Sequence, residues 1–263
     1  MQNLYVTVGP SSFNRKIIKD MSDAGATLFR INMSHTSVND LESVIKSLQD
    51  WSDIPVCIDS EGAQVRNRVM KNNGEFFSKG TIIQLHDNDD MIGDSSRMSL
   101  VPPGIIGQMR AGDRIRVDFD SVEMEIEEIS ENSISARVLT EGYVGSNKAC
   151  DISRRVDMPA LTDKDKIALD IAKNCSIKDF SLSFCNRSDD VVEMRKFLDK
   201  GDKVISKIES ILGVKNLESI ALESDELLID RGDLSREVRI SSIPFVQRSI
   251  VGKARAMNIP VNV

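Results

Sequence analysis

Residues 27–58 read TLFRINMSHTSVNDLESVIKSLQDWSDIPVCI, and this stretch decides the fold. TLFRINM at 27–33 has the β-branched and apolar content of a strand. Leu41, Val44, Ile45 and Leu48 then fall on one face of a helix over 38–51, and IPVCI at 54–58 reads as the next strand. A strand, an amphipathic helix and a second strand joined by short links favour a parallel βαβ unit. Working outward, LYVTV at 4–8 ends at Gly9-Pro10 and predicts an earlier strand. Ile17, Ile18, Met21 and Ala24 predict a helix over 14–24 that Gly25 stops.

Beyond the third strand the rhythm changes. From about Asn67 to Asp157 there is no helical period. Short alternating runs appear instead at 81–85, 114–119, 122–126 and 133–139, separated by turn residues such as Pro102-Pro103-Gly104. This predicts a small all-β insert. The polar segment 88–99 reads as a mobile loop, with Met91 and Met98 as loop content. Helix–strand alternation resumes at Leu161. Thr162 stands as an N-cap with Asp165 as its capping-box partner. Strands follow at 179–184, 203–208, 226–229 and 259–263, with helices at 162–174, 189–200, 214–223 and 243–257.

Seven strands with an insert after the third predict an α/β fold. It is a (β/α)8 TIM-type barrel, incomplete at its C-terminal end, with a small all-β domain after strand 3. The expected organisation is a first barrel part at 1–66, the inserted β domain at 67–157, and a second barrel part at 158–263. A whole barrel takes about 250 residues, and an open barrel edge leaves unpaired backbone groups. The chain is therefore expected to be a fragment, or to have its edge supplied by something else. A smaller open sheet is the structural alternative.

Composition narrows the function. The chain has 263 residues, with 34 basic and 41 acidic side chains and a net charge of -7, so no basic surplus exists to hold a nucleic-acid backbone. No apolar run approaches the ~20 residues of a membrane helix, and the first ten residues lack the pattern of a signal peptide. The expected location is the cytoplasm. Cys57, Cys150, Cys175 and Cys185 lie far apart and read as small packing residues, not as a disulfide frame or a zinc site. Only His35 and His86 are present, so chemistry falls to carboxylates, Lys, Arg and hydroxyls.

In a barrel the active site lies at the C-terminal ends of the strands. Arg30, Asn32 and Ser34 share one face of a strand, as do Lys207 and Glu209. Glu209 and Asp233 offer hard oxygen ligands for Mg2+ or Mn2+. Arg30 and Lys207 offer cations for a phosphate or carboxylate, and Gly232 allows close backbone approach. Asn32, Ser34, Asp59 and Ser60 form an all-oxygen group suited to a monovalent cation. It can also be a hydrogen-bonded strand-end network without an ion. Lys207 and Glu209 can likewise be a structural ion pair, and Lys148 a solvated loop lysine. Asp230 and Arg231 read as surface charges beside a turn, without a role, and His35 as a local hydrogen-bonding residue.

Motifs in order along the chain then carry a resemblance. TVGPSS at 7–12 is similar to TIGPAS, FRINMSH at 29–35 to ARLNFSH, and IDSEGAQVR at 58–66 to LDTKGPEIR. GYVGSNKACDI at 142–152 is similar to GFLGSKKGVNL, and DMPALTDKDK at 157–166 to DLPAVSEKDK. VISKIES at 204–210 is similar to IISKIEN, and IDRGDLSREV at 229–238 to VARGDLGIEI. The chain resembles the pyruvate kinases.

The resemblance implies phosphoryl transfer from phosphoenolpyruvate to ADP, giving pyruvate and ATP, as the last step of glycolysis. It implies that Arg30 binds the transferred phosphate and that Lys207 stabilises the enolate and the phosphoryl group. Glu209 and Asp233 would hold Mg2+ or Mn2+, and the backbone at Gly232, with Asp233, would meet the substrate carboxylate. Asn32, Ser34, Asp59 and Ser60 would hold K+. Asn32, Arg66 and Lys148 would meet the nucleotide, with Lys148 reaching in from a closing insert. A homo-oligomer is expected at full length. The chain departs from the motifs at Glu61, Ala63, Gln64, Phe119 and Ser235. It ends at PVNV, where the family reads PVICATQM, which removes a threonine linked to enolate protonation. Two alternatives stand beside the kinase: a metal-dependent pyruvate or oxaloacetate enolate lyase or decarboxylase, and a truncated non-catalytic paralogue.

Overall fold

The computed structural model describes every residue except 1, 2, 63, 88, 89, 119, 120, 131, 132 and 155. Ala63 and Phe119 thus lie outside the described residues, as does part of the segment 88–99. The chain divides into two units, Met1–Ala63 with Pro159–Val263, and Gln64–Met158.

The first unit is built on seven parallel strands. In chain order they are Tyr5–Val8, Leu28–Asn32, Val56–Asp59, Asp179–Leu182, Lys203–Ile208, Glu226–Ile229 and Val261–Asn262. Each pairs in parallel with the next, so sheet order follows chain order. This is seven strands of a (β/α)8-type barrel. Helices α1 (Arg15–Asp23), α2 (Val38–Trp51), α3 (Asp163–Asn174) and α4 (Ser188–Arg195) come from this unit. So do α5 (Ile211–Lys215), α6 (Leu217–Glu223), α7 (Arg231–Leu234) and α8 (Ile243–Ala256). The single helix expected over 214–223 is two short ones that meet at Asn216.

The helices form where the sequence places apolar faces and caps. Ser37 caps α2 by accepting from the Asn39 N–H, and Leu41, Ile45 and Leu48 of that helix are fully buried. Each such side chain contributes about 1.5–3 kcal/mol by leaving water. Thr162 and Asp165 make the reciprocal capping box of α3. The outward faces of the strands supply Phe29, Ile31, Ile58, Phe180, Val204 and Ile208 to the same core.

Alternation along each strand turns the other set of side chains inward, where they stack in layers. The middle layer brings Leu28, Cys57, Ile205 and Leu228 together, with the Ser181 hydroxyl 3.2 Å from the Cys57 sulfur. Burial raises the thiol pKa of Cys57 and pushes that of Cys185 up to about 12, so both are neutral packing groups. The floor is polar. Glu226 accepts from the Tyr5 hydroxyl at 2.6 Å, from Lys203 at 2.9 Å and from Asn262 at 2.9 Å. The Tyr5–Glu226 bond joins the first strand to the sixth, which only a curled sheet permits.

That floor carries a pH-dependent prediction. Burial acts to raise the Glu226 carboxyl, but the bonds from Tyr5, Lys203 and Asn262 outweigh it and hold the pKa below 4.5. The folded protein therefore binds this proton more weakly than the unfolded chain. Its stabilisation is complete above pH 4.5 and is lost as pH falls through the folded value. Glu226→Gln should lose about 2 kcal/mol at neutral pH. The gap to the parent should close in urea melts taken at progressively lower pH. A gap independent of pH would contradict the role of the ionised carboxylate.

The second unit is β-rich. One seven-stranded sheet runs in the order Cys150–Ile152, Arg114–Val117, Val122–Ile129, Ser133–Thr140, Ile82–His86, Arg97–Val101, Arg66–Asn67. A two-stranded sheet pairs Gly74–Phe77 with Gly142–Gly145. All neighbouring pairs are antiparallel except Ile82–His86 with Arg97–Val101. The reading of 88–99 as loop is corrected at its end. Met98 lies in a strand and is fully buried with Leu85, Leu100 and Met124. Its strand pairs in parallel with the preceding one, Ile82–His86, across a polar segment, and no local signal marks that pairing.

Candidate active site

The mouth of the barrel, at the C-terminal ends of the strands, gathers the charged residues. Arg30 lies on the second strand, Asp59 ends the third, Lys207 lies on the fifth with Glu209 just beyond it, and Asp230 follows the sixth. Asp233 lies in α7. Lys207 is the hub. Its Nζ lies 2.9 Å from Glu209 Oε1, 3.4 Å from Asp59 Oδ2 and 3.8 Å from Asp230 Oδ2. It also donates to Ser183 Oγ at 3.0 Å. Arg30 donates through Nε to Thr7 Oγ1 at 3.0 Å, and its Nη1 lies 3.3 Å from Asp59 Oδ2.

Asp59, Lys207 and Glu209 are 1%, 4% and 2% exposed, so their charges interact with little solvent screening. Burial acts to lower the Lys207 pKa, but the Glu209 and Asp59 carboxylates outweigh it and raise it, so the ammonium stays charged. Burial raises Asp59 against the pull of Lys207 and Arg30. Burial also pushes Glu209 up to about 7, with Asp230 and Asp233 adding to the rise, while Lys207 and the Phe184 N–H oppose it. That N–H donates to Glu209 Oε2 at 2.5 Å from a residue with φ of 50°. A non-glycine residue in this region is uncommon, and here it aims a donor into the site.

A divalent ion suits this set. Ligand atoms of Glu209, Asp230 and Asp233 lie within 4.8 Å of one another. Glu209 Oε1 is buried and accepts no aligned hydrogen bond, although the Lys207 ammonium is close. Hard carboxylate oxygens are what Mg2+ and Mn2+ take. Asp59, Glu209, Asp230 and Asp233 face three cations, Arg30, Lys207 and Arg236, the last of which lies 3.1 Å from Asp233 Oδ1, so one negative charge is left for an ion to balance.

Asp230 is a correction to the sequence reading, which gave it no role. Its Oδ1 accepts from the Gly232 N–H at 3.1 Å and the Asp233 N–H at 3.4 Å, capping α7. The spacing Glu226, Leu228, Asp230 was the available signal, since it continues the inward face of the sixth strand. Ser183 was missed as well. It links Lys207 to Asp59, to which its hydroxyl donates at 3.3 Å, and its N–H donates to Ser60 Oγ at 2.9 Å. Nothing local distinguishes it from other serines.

The remaining expected residues are placed as follows. Asn32 Oδ1 accepts from the Ser34 N–H at 2.9 Å, so the oxygen group Asn32, Ser34, Asp59 and Ser60 is partly engaged with protein donors. His35 donates its N–H to the Asn32 carbonyl at 3.2 Å. Ser235 donates its hydroxyl to the Gly232 carbonyl at 2.6 Å, which tightens the α7 turn. Arg66 and Lys148 belong to the inserted unit. There Arg66 Nη1 donates to the Asn147 carbonyl at 3.0 Å, and Lys148 Nζ lies 3.0 Å from Asp118 Oδ2.

Fold and site together define a class: a (β/α)8-type barrel with a β insert after its third strand and a buried Lys–carboxylate cluster at its mouth. The sequence profile described as "Pyruvate kinase, barrel domain" matches residues 2–263, and the chain belongs to the pyruvate kinase family. It is 28% identical to the pyruvate kinase of Clostridium perfringens over 257 residues, covering 94% of this chain and 54% of that protein. It is 27% identical to that of Bacillus licheniformis over 267 residues, covering 97% and 46%. With that of Methylorubrum extorquens it is 29% identical over 264 residues, covering 98% and 55%. The chain spans about half the length of the curated relatives it matches. Among the described residues no helix is long and apolar enough to cross a membrane.

Proposed function

We propose that the protein transfers the phosphoryl group of phosphoenolpyruvate to ADP, giving pyruvate and ATP, with Mg2+ or Mn2+ held by Glu209 and Asp233. The observation that carries this reading is the meeting of Arg30, Lys207, Glu209 and Asp233 at one barrel mouth. In the reaction the ester P–O bond of the substrate breaks, a bond forms from phosphorus to an ADP phosphate oxygen, and the enolate left behind takes up a proton. Phosphoryl transfer asks for positioning and charge neutralisation, not a strong nucleophile. Arg30 orients the transferred group, and its guanidinium is itself oriented by Thr7 and Asp59. Lys207, kept protonated, neutralises charge that develops on the enolate oxygen. A bound divalent cation supplies further neutralisation on the phosphoryl oxygens.

The nucleotide roles of Asn32, Arg66 and Lys148 and the K+ role of Asn32, Ser34, Asp59 and Ser60 are part of this proposal. They rest on the matched motifs and on donor chemistry. The place in glycolysis, the homo-oligomer and the cytoplasmic location go with it. The Gly232 amide, assigned to the substrate carboxylate, is already bonded to Asp230, so the substrate shares or displaces that contact.

The test is pyruvate formation from phosphoenolpyruvate, ADP and Mg2+ in a coupled assay, with Glu209→Gln beside the parent. We expect turnover in the parent and a loss of about 100-fold or more in the variant. Equal rates, or no pyruvate from the parent, would overturn the proposal. Pyruvate released from oxaloacetate without nucleotide would instead support the lyase.

A further inference from the structure

We infer that Asp230 is a third carboxylate ligand of the divalent cation, an inference that rests on the reading of Glu209 and Asp233 as its holders. The matched motif VARGDLGIEI has alanine where this chain, in IDRGDLSREV, has Asp230. The substitution thus adds a charge at a position that the motif leaves apolar.

The geometry gives that charge a direction. Oδ1 is anchored by the Gly232 and Asp233 amides, which limits rotation of the carboxylate. Oδ2 accepts no hydrogen bond among the described residues. Its nearest cation is the Lys207 ammonium at 3.8 Å, beyond hydrogen-bond range. One oxygen is therefore held by the backbone, and a carboxylate oxygen of Asp230 lies within 4.8 Å of ligand atoms of Glu209 and Asp233. In the same cluster Glu209 Oε1 is buried and accepts no aligned hydrogen bond, with the Lys207 ammonium 2.9 Å away. Lys207 lies 2.9 Å from Glu209 and Arg236 3.1 Å from Asp233, so Asp230, 3.8 Å from Lys207, has the least direct charge compensation of the three carboxylates. Because affinity for a hard divalent ion rises with the number of charged ligands, the third carboxylate tightens the site.

The test uses Mn2+ alone, titrated into the protein without substrate and followed by the electron paramagnetic resonance of the free ion. Asp230→Asn keeps an acceptor for the two amides and removes the charge. Asp230→Ser, also a good helix cap, is the second variant should the first fold poorly. Thermal melts establish that each variant is folded. We expect Mn2+ affinity to fall about ten-fold or more in both. Affinity within two-fold of the parent overturns the inference and leaves Asp230 as a cap. No saturable Mn2+ binding by the parent overturns it too. The pyruvate assay keeps the two ideas separate. Weakened Mn2+ binding without pyruvate formation by the parent supports the inference and ends the kinase reading. Pyruvate formation with unchanged Mn2+ affinity does the reverse.

Discussion

Lys207→Met should abolish most turnover, with kcat falling about a thousand-fold in the coupled pyruvate assay. Methionine nearly matches the length of the lysine stem and offers no charge, so the substitution removes the ammonium with little change in volume. Lys207 contacts Asp59, Glu209 and Ser183 at once, and its neighbours hold it protonated. Arg30 is engaged with Thr7 and Asp59, and Arg236 with Asp233, so neither is positioned to take its place. The variant should also lose about 3 kcal/mol of stability, since buried Glu209 loses its cation and buried Asp59 is left with Arg30 alone. Melts in parallel with the assay separate the two effects. A folded variant with parental turnover would exclude Lys207 from the chemistry.

Gly62→Ala should destabilise the barrel unit by about 3 kcal/mol, a sum of backbone strain and overpacking. Gly62 has φ of +74°, and a Cβ there would lie 2.7 Å from Ser183 Cβ and 2.9 Å from the Ser183 carbonyl oxygen. Both its N–H and that of Glu61 are held by the Asp165 carboxylate, at 3.2 and 2.6 Å, so the loop cannot slide away. The clash would displace Ser183, and with it the contacts to Lys207, Asp59 and Ser60. Gly25→Ala is the control, since Gly25 has φ of +99° and nothing within 4 Å of its would-be Cβ. It should show the backbone strain alone, about 1 kcal/mol. If urea denaturation finds the two variants equally destabilised, the close approach to Ser183 is wrong.

Much of the barrel was legible because its elements announce themselves locally. The face of Leu41, Ile45 and Leu48 is a matter of helical period, and Thr162 with Asp165 is a capping pattern within four residues. The alternation that places Lys207 beside Glu209 is equally local. Asp230 escaped because it sits at the junction of a strand and a short helix, where an acid is most simply a cap. It is a cap here, and its carboxylate also lies within 4.8 Å of ligand atoms of Glu209 and Asp233. The strand at Arg97–Val101 escaped because its partner Ile82–His86 is reached across a polar segment.

The order of residues along the chain determined the parallel strands, the break for a β insert, the caps and the list of charged side chains. Period and composition act over a few residues, and a sequence displays them directly. Tertiary structure alone decided which charges meet. The curl that bonds Tyr5 to Glu226 also brings Asp59, Lys207 and Asp230 into contact across 148 residues between the first two and further beyond. Their proximity depends on how every intervening strand pairs and turns, and burial then sets which of them keeps its charge.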